Sequence, residues 1–573
     1  MISKSDTHGS SFVPANLDAA DWSQLQPLFQ QLLDRSINSP VELEAWLLDV
    51  SALDEQIDEA YARRYIDHTC HTDDPAIEKA YMNFVENVMP HVKPMIFELQ
   101  KKYVASPHRE KLDRQRYFVM DRSWKTGVEL FRQENIPLET QATKAVTQYN
   151  KLCGQMLVNF QGKEYTLQQL ARFIEEPDRQ VRQQAWELSA NRRKQDREAI
   201  NTIFQELLDI RQKIAANAGL ANYRDYIWKA RERFDYTPEM CAAFGDAVAK
   251  VCMPLVEKLD RERKDALGID TLRPWDLSVD VRNRPSLRPF EQDQIPQFIE
   301  KTTQVLSRVS PDLGRQFATL KPGAHLDLES RKGKKPGGYQ CSLEASRQTF
   351  IFMNAAGLQR DVETLVHEAG HAFHYLAACH EPLVFMRSAP LEFCEVASMS
   401  MELLTVDHLN VFYNEQDAAR AKRTLLEGIV RILPWIATID GYQHWLYTNP
   451  GHTLEQRTEA WLKISGRFES KVVDWSGYED IRASNWQRQG HLFGSPFYYI
   501  EYGIAQLGAL QLWQAYQADP KRAIESYRRG LSLGGTRPLP ELFAGANIRF
   551  DFSEQTLAPL VQAIEAELAK LPA

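Results

Sequence analysis

The sequence predicts a mainly α, large, bilobed fold with one small β-sheet placed beside a histidine-bearing helix. Three observations carry that expectation. Apolar residues return at helical spacing along most of the chain. The length, 573 residues, exceeds what one hydrophobic core usually serves, so two lobes are expected. A single stretch, from about His325 to Asn354, turns to β-favouring residues.

Taken in order, helical patterns occur near Leu25–Leu33, Leu43–Ala60, Ala76–Met89 and Leu167–Ile174. From Asn201, the residues Ile203, Phe204, Leu207, Ile210 and Ile214 keep to one face, and the pattern stops at Asn217-Ala218-Gly219. Further helices are expected near Ala242–Leu259, Ala419–Ile432 and Leu557–Leu571, with a kink or shifted start at Pro254 and Pro559. Thr271 to Pro296 carries Pro274, Pro285, Pro289 and Pro296 and must be extended or looping. The β-favouring stretch joins an alternating piece, His325 to Leu328, to a Gly/Lys loop, Arg331 to Gly338, and to the run Thr349 to Met353.

Composition narrows the class. With 43% hydrophobic and 25% charged residues, the chain has enough apolar material for a core and is not mostly disordered. The net charge of −9 lacks the footprint of a nucleic-acid binder. The 7 cysteines form no CxxC pair and read as reduced thiols. Met1 to Trp22 has no apolar core after a basic start, so no secretory signal is expected. The richest apolar stretch, Phe497 to Trp513, is broken by Glu501, Gln506 and Gln511. A cytoplasmic location, with neither nucleic acid nor membrane as partner, is the expectation. Oligomeric state is not readable.

The strongest motif is His367-Glu368-Ala369-Gly370-His371. Residues i and i+4 of a helix share a face, so the two imidazoles can meet one ion, and Glu368 is placed to take a proton from water on it. Asp361 is the candidate N-cap of this helix. The bare string arises by chance in roughly a few per cent of chains like this one, so a third ligand is required. Glu395 supplies a candidate, 24 residues past His371 on an amphipathic segment where Glu395, Ser398 and Glu402 share a face. Two imidazoles and a carboxylate leave a fourth tetrahedral position for water, the pattern of a catalytic zinc site. Glu402 is open between accepting from a metal-bound imidazole and a solvated or capping role. His374 is expected to pack, or to support a ligand, rather than to be one. The segment His491 to Gly503 gathers aromatics, and Tyr499 and Tyr502, three apart, can face one cleft and donate to an oxyanion.

The strings VETLVHEAGHAFH, FCEVASMSMELL, HLFGSPFYYIEYGIAQLGAL and LSLGGTRPLPELFAGANI together resemble the thimet oligopeptidase and oligoendopeptidase F family of zinc metallopeptidases, and the oligoendopeptidase F branch most closely. The likeness covers roughly the C-terminal two-thirds. It implies His367, His371 and Glu395 as ligands of one catalytic Zn2+ and Glu368 as general base. It implies that His491 lies over the substrate near the scissile bond, that Tyr502 donates to the oxyanion, and that Tyr499 is a second tyrosine one turn earlier. A one-residue gap in this region leaves the assignment open among Tyr498, Tyr499 and Tyr502. The resemblance further implies two helical lobes around a deep substrate channel, with a small sheet whose edge strand pairs with the peptide. The run Thr349 to Asn354 is expected to be that strand. Residues 1–190 are expected to form an N-terminal helical lobe and residues 191–573 the catalytic region. The function expected is a zinc-dependent oligoendopeptidase of short peptides, with zinc-bound water activated by Glu368. The rivals are a dipeptidyl carboxypeptidase on the same site and a non-catalytic peptide-binding scaffold.

Overall fold

Helices dominate residues 12–572, which are the residues described by the computed structural model. The leader reading of Met1 to Trp22 falls partly outside them. The helix Trp22–Asp34 buries Leu25, Leu28, Phe29 and Leu32 at i, i+3, i+4 and i+7, and Asp21 caps it by accepting from Ser23 N–H. The next helix, Pro40–Cys70, runs well beyond the expected Leu43–Ala60, capped by Ser39 and opened by Pro40. The helices Pro238–Leu267 and Glu554–Leu568 continue through Pro254 and Pro559, so neither proline shifts a helix start. Among the described residues, no helix is long and apolar enough to cross a membrane.

The chain forms two compact units interleaved in sequence. One comprises Met1–Glu129, Leu287–Lys422 and Gly508–Phe550; the other comprises Leu130–Ser286, Arg423–Leu507 and Asp551–Ala573. Residue 190, where the sequence reading divides the chain, lies inside the helix Arg179–Gln195 of the second unit.

In the second unit, β1 (Leu157–Phe160) and β2 (Lys163–Thr166) form an antiparallel hairpin. The proline-rich stretch after Thr271 holds one short 3-10 turn, Pro274–Asp276. Asp276 is fully buried and pins this turn, 2.7 Å from Arg179 Nη2 and 2.9 Å from Arg182 Nη2. A carboxylate is tolerated at such depth because it is paired and hydrogen-bonded.

In the first unit, β3 (Leu326–Glu329), β4 (Tyr339–Leu343) and β5 (Gln348–Ala355) form one sheet in the order β3-β5-β4. β5 pairs parallel with β3 and antiparallel with β4. The run Thr349 to Asn354 is therefore the central strand, and both its edges are taken. That corrects the expectation that it adds a peptide: β4 and β3 are the edges. One face of the sheet, Leu343, Phe350 and Phe352, packs on Ala62, Ile66 and Cys70 of the helix Pro40–Cys70. The Gly/Lys loop is tied down by Lys334, whose buried ammonium reaches Asp327 Oδ1 (2.8 Å), Glu329 O (2.8 Å) and Met353 O (2.6 Å). The strands thus deliver the chain to the helix Gln359–Ala378, which packs against β4 and β5.

Candidate active site

The helix Gln359–Ala378 carries the His-Glu-x-x-His segment and buries Leu365, Val366, Ala369, Ala372 and Phe373. It begins two residues before Asp361, which corrects the cap assignment. Asp361 sits in the first turn, and its carboxylate reaches back to accept from Leu358 N–H (2.8 Å) and Ala356 N–H (2.7 Å). A carboxylate there still satisfies amides that the first turn leaves open.

The second helix of the site, Leu391–Thr405, crosses the first at Gly370. A Cβ at Gly370 would stand 2.6 Å from Ala397 O and 2.6 Å from Ser398 Cα, so the close approach requires glycine. That approach brings His367, His371 and Glu395 together, with their ligating atoms all within 4.8 Å of one another. Glu395 Oε2 lies 3.5 Å from His367 Nε2 and 3.9 Å from His371 Nε2. Donors about 2 Å from a single tetrahedral ion stand roughly 3.3 Å apart, so these residues could hold one metal ion with small adjustments of the side chains.

Neighbours fix each donor. His367 Nδ1 is 2.6 Å from Glu402 Oε1, which leaves Nε2 turned to Glu395. Of the two roles left open for Glu402, the structure places it on the imidazole. Ser398 donates to Glu395 Oε2 at 3.2 Å. His374 is buried, its ring against Phe393, and is not among the converging donors.

The site is acidic. Burial pushes Glu368 up to about 7, with His367 opposing and Glu395 adding to the rise. Burial also raises Glu395. For His367, burial opposes the charged form, yet the Glu402 hydrogen bond and charge, with Glu395 and Glu368, bring it up to about 9. Burial and the neighbouring His367 lower His371 to about 3. Buried carboxylates short of positive charge suit a divalent cation. The backbone N–H of Gln340, on edge strand β4, donates to Glu368.

His491, Tyr498, Tyr499 and Tyr502 gather in the second unit. The His491 ring lies 5.6 Å from Tyr498, 5.0 Å from Tyr499 and 6.2 Å from Tyr502. Tyr499 opens the helix Tyr499–Ala518, and the Tyr499 and Tyr502 rings stand 5.6 Å apart, as the three-residue spacing predicts. Buried Arg211 holds the preceding segment by donating to Leu492 O (3.0 Å) and Phe493 O.

One residue that carried no sequence signal sets the state of His491. Trp435 Nε1–H, which can only donate, reaches Gln489 Oε1 at 3.0 Å. The amide nitrogen of Gln489 is thereby turned to His491 Nδ1 at 2.7 Å. Nδ1 accepts, so the ring proton sits on Nε2. Burial, and then Arg231, lowers the His491 pKa and favours this neutral form.

Residues 172–561 match Peptidase family M3, and residues 12–131 match the Peptidase M3 N-terminal domain. An oligoendopeptidase F homolog of Mycoplasma pneumoniae is 23% identical over 66% of this chain and 64% of its own length. Oligopeptidase PepF of Bacillus subtilis is 23% identical over 50% of this chain and 42% of its own length. The chain therefore spans less than two thirds of these curated relatives. A solved structure of PZ peptidase A with an inhibitor is similar over 98% of this chain and 99% of that one, with a TM-score of 0.86 and 28% identity. The chain belongs to peptidase family M3.

Proposed function

We propose that this protein is a zinc-dependent oligoendopeptidase that hydrolyses internal bonds of short peptides. The observation that carries the reading is the convergence of His367, His371 and Glu395, with Glu368 one residue from the first ligand. These three residues would hold one Zn2+, which when bound polarises a carbonyl and acidifies water towards neutral pH. Glu368 takes the proton of the attacking water and passes it to the leaving amine. Its buried position, with the Gln340 N–H on one side, holds the carboxylate in place for that transfer. To His491, through its Nε2–H, and to Tyr502, with Tyr499 beside it, we assign the role that the family resemblance implies, stabilising the oxygen that gains charge. Edge strand β4 is the element we assign to pairing with the peptide backbone. We place the enzyme in the cytoplasm, in keeping with its reduced cysteines.

Mass spectrometry of products from a ladder of peptides, with and without chelator, tests the reading. Internal cleavage that chelator abolishes and zinc restores is expected, on substrates with blocked as well as free C-termini. Release of C-terminal dipeptides from free-ended peptides alone would replace it with the dipeptidyl carboxypeptidase reading. Tight peptide binding without any cleavage would replace it with the scaffold reading.

A further inference from the structure

A second set of metal-ligating side chains converges in the other unit. Cys241, on the helix Pro238–Leu267, meets Asp440 and His444, on the helix Glu415–Thr448. Their ligating atoms all lie within 4.8 Å of one another. Asp440 and His444 are four residues apart on one helix, the spacing that also brings His367 and His371 together. His444 Nε2 stands 3.3 Å from Asp440 Oδ2, close to the roughly 3.3 Å expected of two donors on one tetrahedral ion.

Burial sharpens the case. Cys241 and Asp440 are each 2% exposed. Asp440 Oδ1 and His444 Nε2 are both buried without a hydrogen-bond partner. Among the described residues, the only ion-pair partner of Asp440 is His444. A buried carboxylate left in this state is costly, and the cost falls if a cation binds it. The His444 ring is flanked by Trp228 at 5.5 Å and Phe497 at 5.1 Å, surroundings that favour a neutral assembly. A thiolate and a carboxylate neutralise a divalent ion, and loading releases the thiol proton. Sulfur, nitrogen and oxygen donors together favour zinc or cobalt over magnesium or calcium.

We propose that Cys241, Asp440 and His444 form a second divalent-metal site, structural in role and suited to zinc. It would brace the turn ahead of Tyr498 and Tyr499. Gln443, beside His444, accepts from Phe497 N–H at 2.6 Å, and Arg233 donates to Phe497 O. Phe497 adopts a φ of 62°, a left-handed conformation that a bulky residue keeps only when its surroundings impose it.

The test uses the full chain carrying His367→Ala and His371→Ala, which removes the imidazoles of the first cluster. Loaded with Co2+, this protein should bind one equivalent and show near-ultraviolet thiolate-to-cobalt absorption, and both should vanish on adding Cys241→Ser. Loaded with Zn2+, its X-ray absorption should show one sulfur neighbour at about 2.3 Å; this measurement needs no substitution at Cys241. Failure to bind an equivalent, a coordination shell of nitrogen and oxygen only, or absorption that survives Cys241→Ser would overturn the proposal. None of these readouts uses peptide cleavage, so they stand or fall apart from the peptidase reading.

Discussion

Glu402 Oε1 lies 2.6 Å from His367 Nδ1, on the side of the ring away from Glu395. This contact fixes both the ring orientation and the tautomer, so that Nε2 is the atom offered to a cation. Glu402→Ala should weaken zinc affinity by roughly 10–100-fold while leaving all three proposed ligands in place. Competition against a chromophoric chelator measures this directly, and unchanged affinity would show the contact to be incidental.

Gly370 lets two backbones approach where no side chain fits. Gly370→Ala sets a methyl group against Ala397 O and Ser398 Cα, neither of which can rotate away. A stability loss of about 1–3 kcal/mol is expected from overpacking. Because Glu395 belongs to the displaced helix, metal content should fall with the melting temperature. A variant with parental melting temperature and full zinc would refute this account of the crossing.

Gln489 acts on His491 through one hydrogen bond. Gln489→Leu removes the amide N–H that donates to Nδ1 and frees the ring to adopt the other tautomer. A drop in kcat of about tenfold, equivalent to roughly 1.4 kcal/mol, is expected, with KM and zinc content little changed. A change confined to KM would assign Gln489 to substrate binding instead.

Asp327 supplies a pH dependence remote from the candidate active site. Burial opposes its charge, but Arg331 and Lys334 outweigh that and hold the carboxyl well below its ordinary 3.8. Its stabilisation is thus fully present above that value and is lost as the pH falls below it towards the native-state pKa. Asp327→Asn should cost about 3 kcal/mol near neutrality, since it leaves the buried Lys334 ammonium without its carboxylate. The gap between parent and variant, followed by denaturant unfolding, should narrow below about pH 4. A gap that is constant with pH would mean that packing, not charge, links the loop to the sheet.

Much of this was legible in the sequence because it depends on local spacing. The i, i+4 histidines, the Glu395, Ser398, Glu402 stripe and the Tyr499, Tyr502 pair each lie on one helix, where periodicity dictates the face. What was missed depends on partners distant in sequence. The run Thr349 to Met353 is plainly a strand, yet nothing in it tells that β3 and β4 flank it on both sides. Asp361 has the chemistry of a cap, but the turn at Gly357, with φ of 82°, starts the helix two residues sooner. Gln489 matches no motif, and its role follows only from Trp435, 54 residues away. The interleaving of the two compact units is likewise a matter of long-range packing.

In the proposed mechanism, His367, His371 and Glu395 hold the metal while Glu368 moves the proton. Glu368→Gln keeps the size and removes the base. Zinc content and cleavage of a quenched peptide, measured on the same purified sample, test it most directly. This variant should retain the active-site zinc, with zinc content equal to that of the parent, while kcat falls by at least about 10²–10⁴-fold. Cleavage at near the parental rate, with that zinc still bound, would contradict it.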